Sequence, residues 1–121
     1  MKIKVLVVDD NANNLMLEKD LLEAAGFEVF EGINGDEGIA KARQNNPDII
    51  VMDVRLPDMR GTEAALIIRK DAKLREIPIV FVTASVMPEG KAEIDGILNS
   101  GFIGKPINTR TFVDDIRRFI K

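Results

Sequence analysis

Asp9 and Asp10 stand side by side at the end of the apolar run Val5 to Val8, and Asp53 closes a second apolar run in "DIIVMD". Thr83 ends a third, "IPIVFVT", and Lys105 follows "GFIG". Two carboxylates about 4 Å apart repel by roughly 4 kcal/mol at an effective dielectric of about 20. Three brought together therefore require a counter-charge. A hard divalent cation meets that need: Mg2+ takes one or two carboxylates, waters and a phosphate oxygen. Lysine adds a mobile point charge and threonine a hydroxyl. Such a set suits a phosphoryl group, whose charge the cation and ammonium neutralise. The chain contains neither histidine nor cysteine. Histidine general bases, thiolate chemistry, disulfides and His-containing metal sites are thereby excluded. A phosphoryl acceptor would have to be a carboxylate, an established nucleophile in aspartyl-phosphate chemistry.

These residues converge only if the right elements carry them. The runs 3–8, 27–31, 48–53, 77–83 and 101–104 read as five strands. The first, third and fourth are continuous and rich in Val and Ile, as for strands buried on both faces of a parallel sheet. "FEVFE" alternates and belongs nearer an edge. Between the strands lie helical segments at 12–25, 36–44, 62–72, 89–98 and 109–120. In the first, Leu15, Leu17, Leu21 and Leu22 form an apolar stripe, and Gly26 is a natural stop. Five β-α units without linker, repeat or low-complexity segment predict one doubly wound α/β domain with helices on both faces. In such folds ligands bind beyond the carboxyl ends of the strands, where Asp9, Asp10, Asp53, Thr83 and Lys105 all fall.

Composition narrows the class. The chain has 121 residues, is 45% hydrophobic and 31% charged, and carries a net charge of −3, which fits one globular domain. Basic residues are scattered, with Arg117-Arg118 as an adjacent pair near the end, so no nucleic-acid footprint is expected. No apolar stretch approaches the ~20 residues that span a bilayer, and no signal peptide is expected. The absence of cysteine fits the cytoplasm.

The ordered set of residues resembles the receiver domain of two-component response regulators over essentially the whole chain. The matching residues are Asp9-Asp10, Asp53 in "VMDVRLPDMRG" with Pro57 and Gly61, Thr83-Ala84 in "VTAS", and Lys105-Pro106 in "GFIGKPI". The resemblance implies a flavodoxin-like (βα)5 sandwich with a parallel sheet in order 2-1-3-4-5, one receiver domain over 1–121 and no output domain. It implies that Asp53 accepts a phosphoryl group from a phosphohistidine on a sensor histidine kinase or histidine phosphotransfer protein. Asp10, Asp53 and the backbone carbonyl of Arg55 would hold Mg2+ (or Mn2+), with Asp9 supporting the metal largely through water. Thr83 and Lys105 would bind phosphoryl oxygens, and Phe102 would take the switch aromatic position. The Lys105–Pro106 peptide would be cis, as is common in the family. The output would be a changed surface for a downstream protein target, formed by segment 89–98, the fifth strand and the last helix. Such a domain assists its own phosphorylation and dephosphorylation but is not a metabolic enzyme.

Other readings are weaker. A small phosphohydrolase would share the carboxylates, but its spaced aspartate pair on the first strand is missing, because Asp9 and Asp10 are adjacent. A flavin or nucleotide binder would need a phosphate-cradling glycine loop there. Taken alone, Asp9-Asp10-Asn11 is also good turn and helix-cap chemistry. Phe102 is expected to be half-buried whatever its role. Gly90 and Gly96 make segment 89–98 the expected weakest helix. "ILNSG" (97–101) departs from the usual family turn before Phe102. The Arg55 side chain is expected to influence the lifetime of an aspartyl phosphate.

Overall fold

The computed structural model describes residues 2–83 and 100–120. The central strands β1 (Lys4–Val8), β3 (Ile49–Asp53) and β4 (Ile79–Thr83) are almost wholly buried, as their unbroken apolar runs require. They are flanked by β2 (Glu28–Gly32) and β5 (Ser100–Gly104) in one parallel sheet of order β2-β1-β3-β4-β5. The alternating "FEVFE" run thus lies at an edge, and the doubly wound order 2-1-3-4-5 is the one observed. Among the described residues there are four α-helices: α1 (Ala12–Ala24), α2 (Gly35–Asn45), α3 (Gly61–Arg69) and α4 (Phe112–Phe119). The expected helix at 89–98 and its stability lie outside the described residues, as does Ala84.

Strand alternation divides the interior in two. Leu6, Val8, Ile50, Met52, Ile79 and Phe81 face one side, where Ile39 and Ala42 of α2 and Ala64, Ala65 and Ile68 of α3 meet them. Val5, Val7, Ile49, Val51, Val80 and Val82 face the other, against Leu15 and Leu22 of α1 and Phe112 and Ile116 of α4. Full burial of such side chains contributes roughly 1.5–3 kcal/mol each. The sheet therefore fixes the positions of the strand ends, from which the polar residues project.

Local chemistry sets the helix limits. Asn11 caps α1 by accepting from the Asn14 amide at 3.1 Å. At the other end Gly26 adopts φ +95, its amide donates to the Glu23 carbonyl, and the Phe27 amide donates to that of Leu22. This closes a Schellman motif. Two expected helices are shorter than their periodicity suggested. α3 stops at Arg69, because Asp71 accepts from the Lys73 amide at 3.0 Å and starts a 3-10 turn over Ala72–Leu74. α4 begins at Phe112, because Asn108 accepts from the Arg110 amide at 2.9 Å and holds the preceding residues in a turn. The α1 stripe also needs correction. Leu17 is exposed, and the buried line is Leu15, Glu18 and Leu22.

Candidate functional site

Asp9 is the first residue beyond β1. Its amide donates to the Gly32 carbonyl at 3.0 Å, which ties it to the neighbouring edge strand. Its carboxylate is buried, with Oδ1 accepting from the Asn11 amide at 2.9 Å and Oδ2 from Lys105 Nζ at 3.0 Å. Asp53, the last residue of β3, accepts from the Arg55 amide at 3.1 Å through Oδ1 and from Lys105 Nζ at 2.8 Å through Oδ2. Asp10 is exposed beside them, and one carboxylate oxygen from each aspartate lies within 4.8 Å of the others. Thr83, the last residue of β4, is buried next to Val82, the register partner of Asp53. The Thr83 carbonyl accepts from the Lys105 amide at 2.7 Å, and the Lys105–Pro106 peptide is cis.

The sheet thus brings Asp9, Asp10, Asp53, Thr83 and Lys105 to a single rim. Burial favours the neutral form of Lys105, but its hydrogen bonds to Asp53 and Asp9 outweigh this and raise its pKa above the ordinary value. One ammonium among three carboxylates leaves two negative charges uncompensated. This hard-oxygen donor set, with a shared space between its members, fits a divalent cation of the Mg2+ type.

The β3–α3 loop is held from both ends. Arg55 and Arg60 form an antiparallel bridge, and the Gly61 amide donates to the Val54 carbonyl at 2.7 Å. A Cβ at Gly61 would collide with the carbonyl oxygen of Asp53, so α3 can start against the site only with glycine there. Across the loop, Asp58 accepts from the amides of Gly35 and Asp36 at 2.8 and 3.0 Å, capping α2 from a distant part of the chain. Those two backbone donors lower its pKa. Phe102 lies at mid-strand opposite Phe81 in β5, which has a sheet neighbour on one side only. It is therefore exposed at 40% rather than half-buried.

The strand-end reading missed Glu18 and Asp58. Glu18 is 2% exposed on the inner side of α1, and its pKa rises from 4.5 to about 8. Burial is the main cause; Asp9 and Asp53 add to it and Lys105 opposes it. The signal was available, since Glu18 falls three residues after Leu15 and four before Leu22. Asp58 carried no comparable signal, because its partners lie 22 and 23 residues away.

A βα sheet of this order with an aspartate cluster and a lysine at its rim defines a receiver-type α/β protein. The chain belongs to the response regulator receiver domain family, which it matches over residues 5–117. It is 36% identical over 120 residues to the polar-differentiation response regulator DivK of Brucella anthropi, covering 99% of this chain and 98% of that one. The chemotaxis response regulator CheY4 of Vibrio cholerae superposes with a TM-score of 0.93 at 32% identity, covering 99% and 100% of the two chains. A CheY-like receiver domain from Methanospirillum hungatei gives a TM-score of 0.91 at 28% identity, covering 98% and 93%. The chain is accordingly a two-component signalling switch. Among the described residues, no helix is long and apolar enough to cross a membrane.

Proposed function

We propose that Asp53 is the phosphoryl acceptor, and that the donor is a phosphohistidine on a sensor histidine kinase or histidine phosphotransfer protein. The observation that carries this reading is the Lys105 ammonium held between Asp9 and Asp53 at the mouth of the three-carboxylate cluster. An Asp53 carboxylate oxygen attacks phosphorus, the phosphorus–nitrogen bond breaks, and the electron pair leaves with the imidazole. Lys105, already on Oδ2 of Asp53, is placed to follow the negative charge onto the phosphoryl oxygens. The Thr83 hydroxyl offers these oxygens a hydrogen bond. Asp9, Asp10, Asp53 and the Arg55 carbonyl would hold Mg2+ or Mn2+, which when bound neutralises charge on the transferring group. No nucleic acid enters this chemistry.

Phosphorylation adds charge and acceptor oxygens beside Thr83 and Lys105. A conformer that satisfies them gains population over one that does not. The changed surface includes β5, Phe102 as the switch aromatic, and α4, which together would meet a downstream protein. In this reading residues 1–121 act as one receiver unit in the cytoplasm, and the domain assists its own phosphorylation and dephosphorylation. Intact-mass analysis after incubation with acetyl phosphate tests it, with Mg2+ or chelator, on wild type and Asp53→Asn. The expected result is a Mg2+-dependent phosphate adduct that the variant lacks. Failure to form an adduct from both acetyl phosphate and a phosphohistidine donor would overturn the reading.

A further inference from the structure

α2 carries a cap from its own sequence. Asn34 accepts from the Glu37 amide at 2.8 Å, and Glu37 reaches back to accept from the Ile33 amide at 3.1 Å. This is a reciprocal arrangement of the capping-box kind. The Gly35 and Asp36 amides of the same first turn donate instead to one remote carboxylate, Asp58, at 2.8 and 3.0 Å. The next residue, Met59, lies over the bare Cα of Gly35, where a Cβ would collide with its Cγ and Sδ. Gly35 thus receives two neighbouring side chains of the β3–α3 loop, one at its amide and one on the face that only glycine leaves open. The base of that loop is closed by the Arg55–Arg60 bridge and by the Gly61 amide on the Val54 carbonyl. At its tip Leu56 and Met59 rest on the core, and Pro57 has no amide to donate. The Asp58 carboxylate gives the tip a directional hold, because two charge-assisted hydrogen bonds fix orientation as well as distance.

We propose that Asp58 is a positioning residue for the cation site: it anchors the β3–α3 loop on α2 and so holds the Arg55 carbonyl at the rim. This rests on the reading in which that carbonyl joins the three aspartates as a ligand. The Asp9 and Asp53 carboxylates are set by strand ends and by hydrogen bonds to backbone amides and to Lys105. Arg55 lies beyond β3 and belongs to the loop, so its carbonyl inherits whatever freedom the loop has. With the base of the loop bridged, a displacement of Asp58 passes through Pro57 and Leu56 directly to Arg55. α2 starts with its local cap in place, so the effect of the Asp58 contact falls mainly on the loop. α2 thereby supports a site to which it contributes no ligand. A change at its first turn would be felt as a change in cation affinity.

Mg2+ alone is the probe, titrated into unphosphorylated wild type, Asp58→Ala, Asp58→Asn and Asn34→Ala while NMR follows the amides of Asp53 and Arg55. Asp58→Ala is expected to raise the Mg2+ dissociation constant about tenfold, as loss of a group that supports a metal ligand typically does. Asp58→Asn keeps an acceptor oxygen and should recover part of that loss. Asn34→Ala removes the local cap of α2 but leaves the clasp, and should bind Mg2+ as wild type does. In the metal-free protein the Arg55 amide should shift in Asp58→Ala and hold its place in Asn34→Ala. Equal Mg2+ affinity of wild type and Asp58→Ala would overturn this role alone. So would an equal loss in Asn34→Ala, which would trace the effect to helix stability. Asp58→Asn binding as weakly as Asp58→Ala would trace it to charge, with the same consequence. A wild type that does not bind Mg2+ would overturn the cation site itself, and this role with it.

Discussion

Asp9 and Glu18 are hidden from solvent to the same degree, each 2% exposed, and both lie close to Lys105. Asp9 is held at both oxygens, by a backbone amide and by the ammonium. Glu18, one helical turn and a half into α1, has neither. Burial alone therefore does not decide what a carboxyl does in this protein; the partners do. The rim beyond the strands holds the Asp9 and Asp53 carboxylates on a common ammonium and still carries two uncompensated negative charges. The inner side of α1 contains a carboxyl that burial keeps protonated.

Removing the shared partner is the most direct attack on that contrast. Lys105→Met leaves the Asp9 carboxylate buried opposite Asp53 without its ammonium. Breaking such a pair is expected to lower unfolding free energy by about 4 kcal/mol in the absence of metal. Urea unfolding with and without Mg2+ checks this, with part of the loss recovered when the cation is present. Unchanged stability would place Asp9 and Glu18 in the same class.

Glu18→Gln probes the other side and has the opposite sign. The folded protein keeps a proton on Glu18 that the unfolded chain releases above 4.5. The associated stability is fully present below 4.5 and is lost as pH rises through about 8. Wild type and Glu18→Gln should therefore be close near the lower limit. Near pH ~9 the variant should be more stable, by on the order of 5 kcal/mol for the rise from 4.5 to about 8 at ~1.4 kcal/mol per pKa unit. Parallel urea titrations across that range measure the difference. Curves that run parallel would remove the distinction between the two carboxyls.

The smallest effect is expected at Asp58, a third carboxylate and the exposed one. Asp58→Ala removes the two hydrogen bonds that clasp the β3–α3 loop to α2. The melting temperature should fall by about a few degrees, and amide exchange should quicken at Gly35 and Asp36. Unchanged protection of those amides would show that the clasp is not what orders the loop.

Most of the fold was legible because strand burial leaves a simple trace. Val5 to Val8 and Ile79 to Val82 are apolar on both faces, and only a covered parallel sheet accepts that. Asp9, Asp10, Asp53 and Thr83 were legible for the same reason, since each stands at the end of such a run, whereas Lys105 follows the partly exposed edge strand β5. Helix limits were less so. Asp71 and Asn108 end or delay helices through their own side-chain hydrogen bonds, which compete with a periodic pattern that would otherwise continue. Glu18 was legible in its spacing but not in its chemistry: a reading that places leucines inward and acids outward assigns Leu17 and Glu18 to each other's environments. Phe102 depended on how much cover an edge strand receives, which its own residues do not encode.

Lys105 touches more of the sheet than any rule about its charge would suggest. Its amide is bonded to the end of β4 and its ammonium to residues at the ends of β1 and β3, while its own chain continues directly from β5. Mechanically it is a tie across the mouth of four strands. A force on the ammonium at the aspartates is transmitted along a single side chain to the edge strand, and Phe102 lies three residues further down that strand.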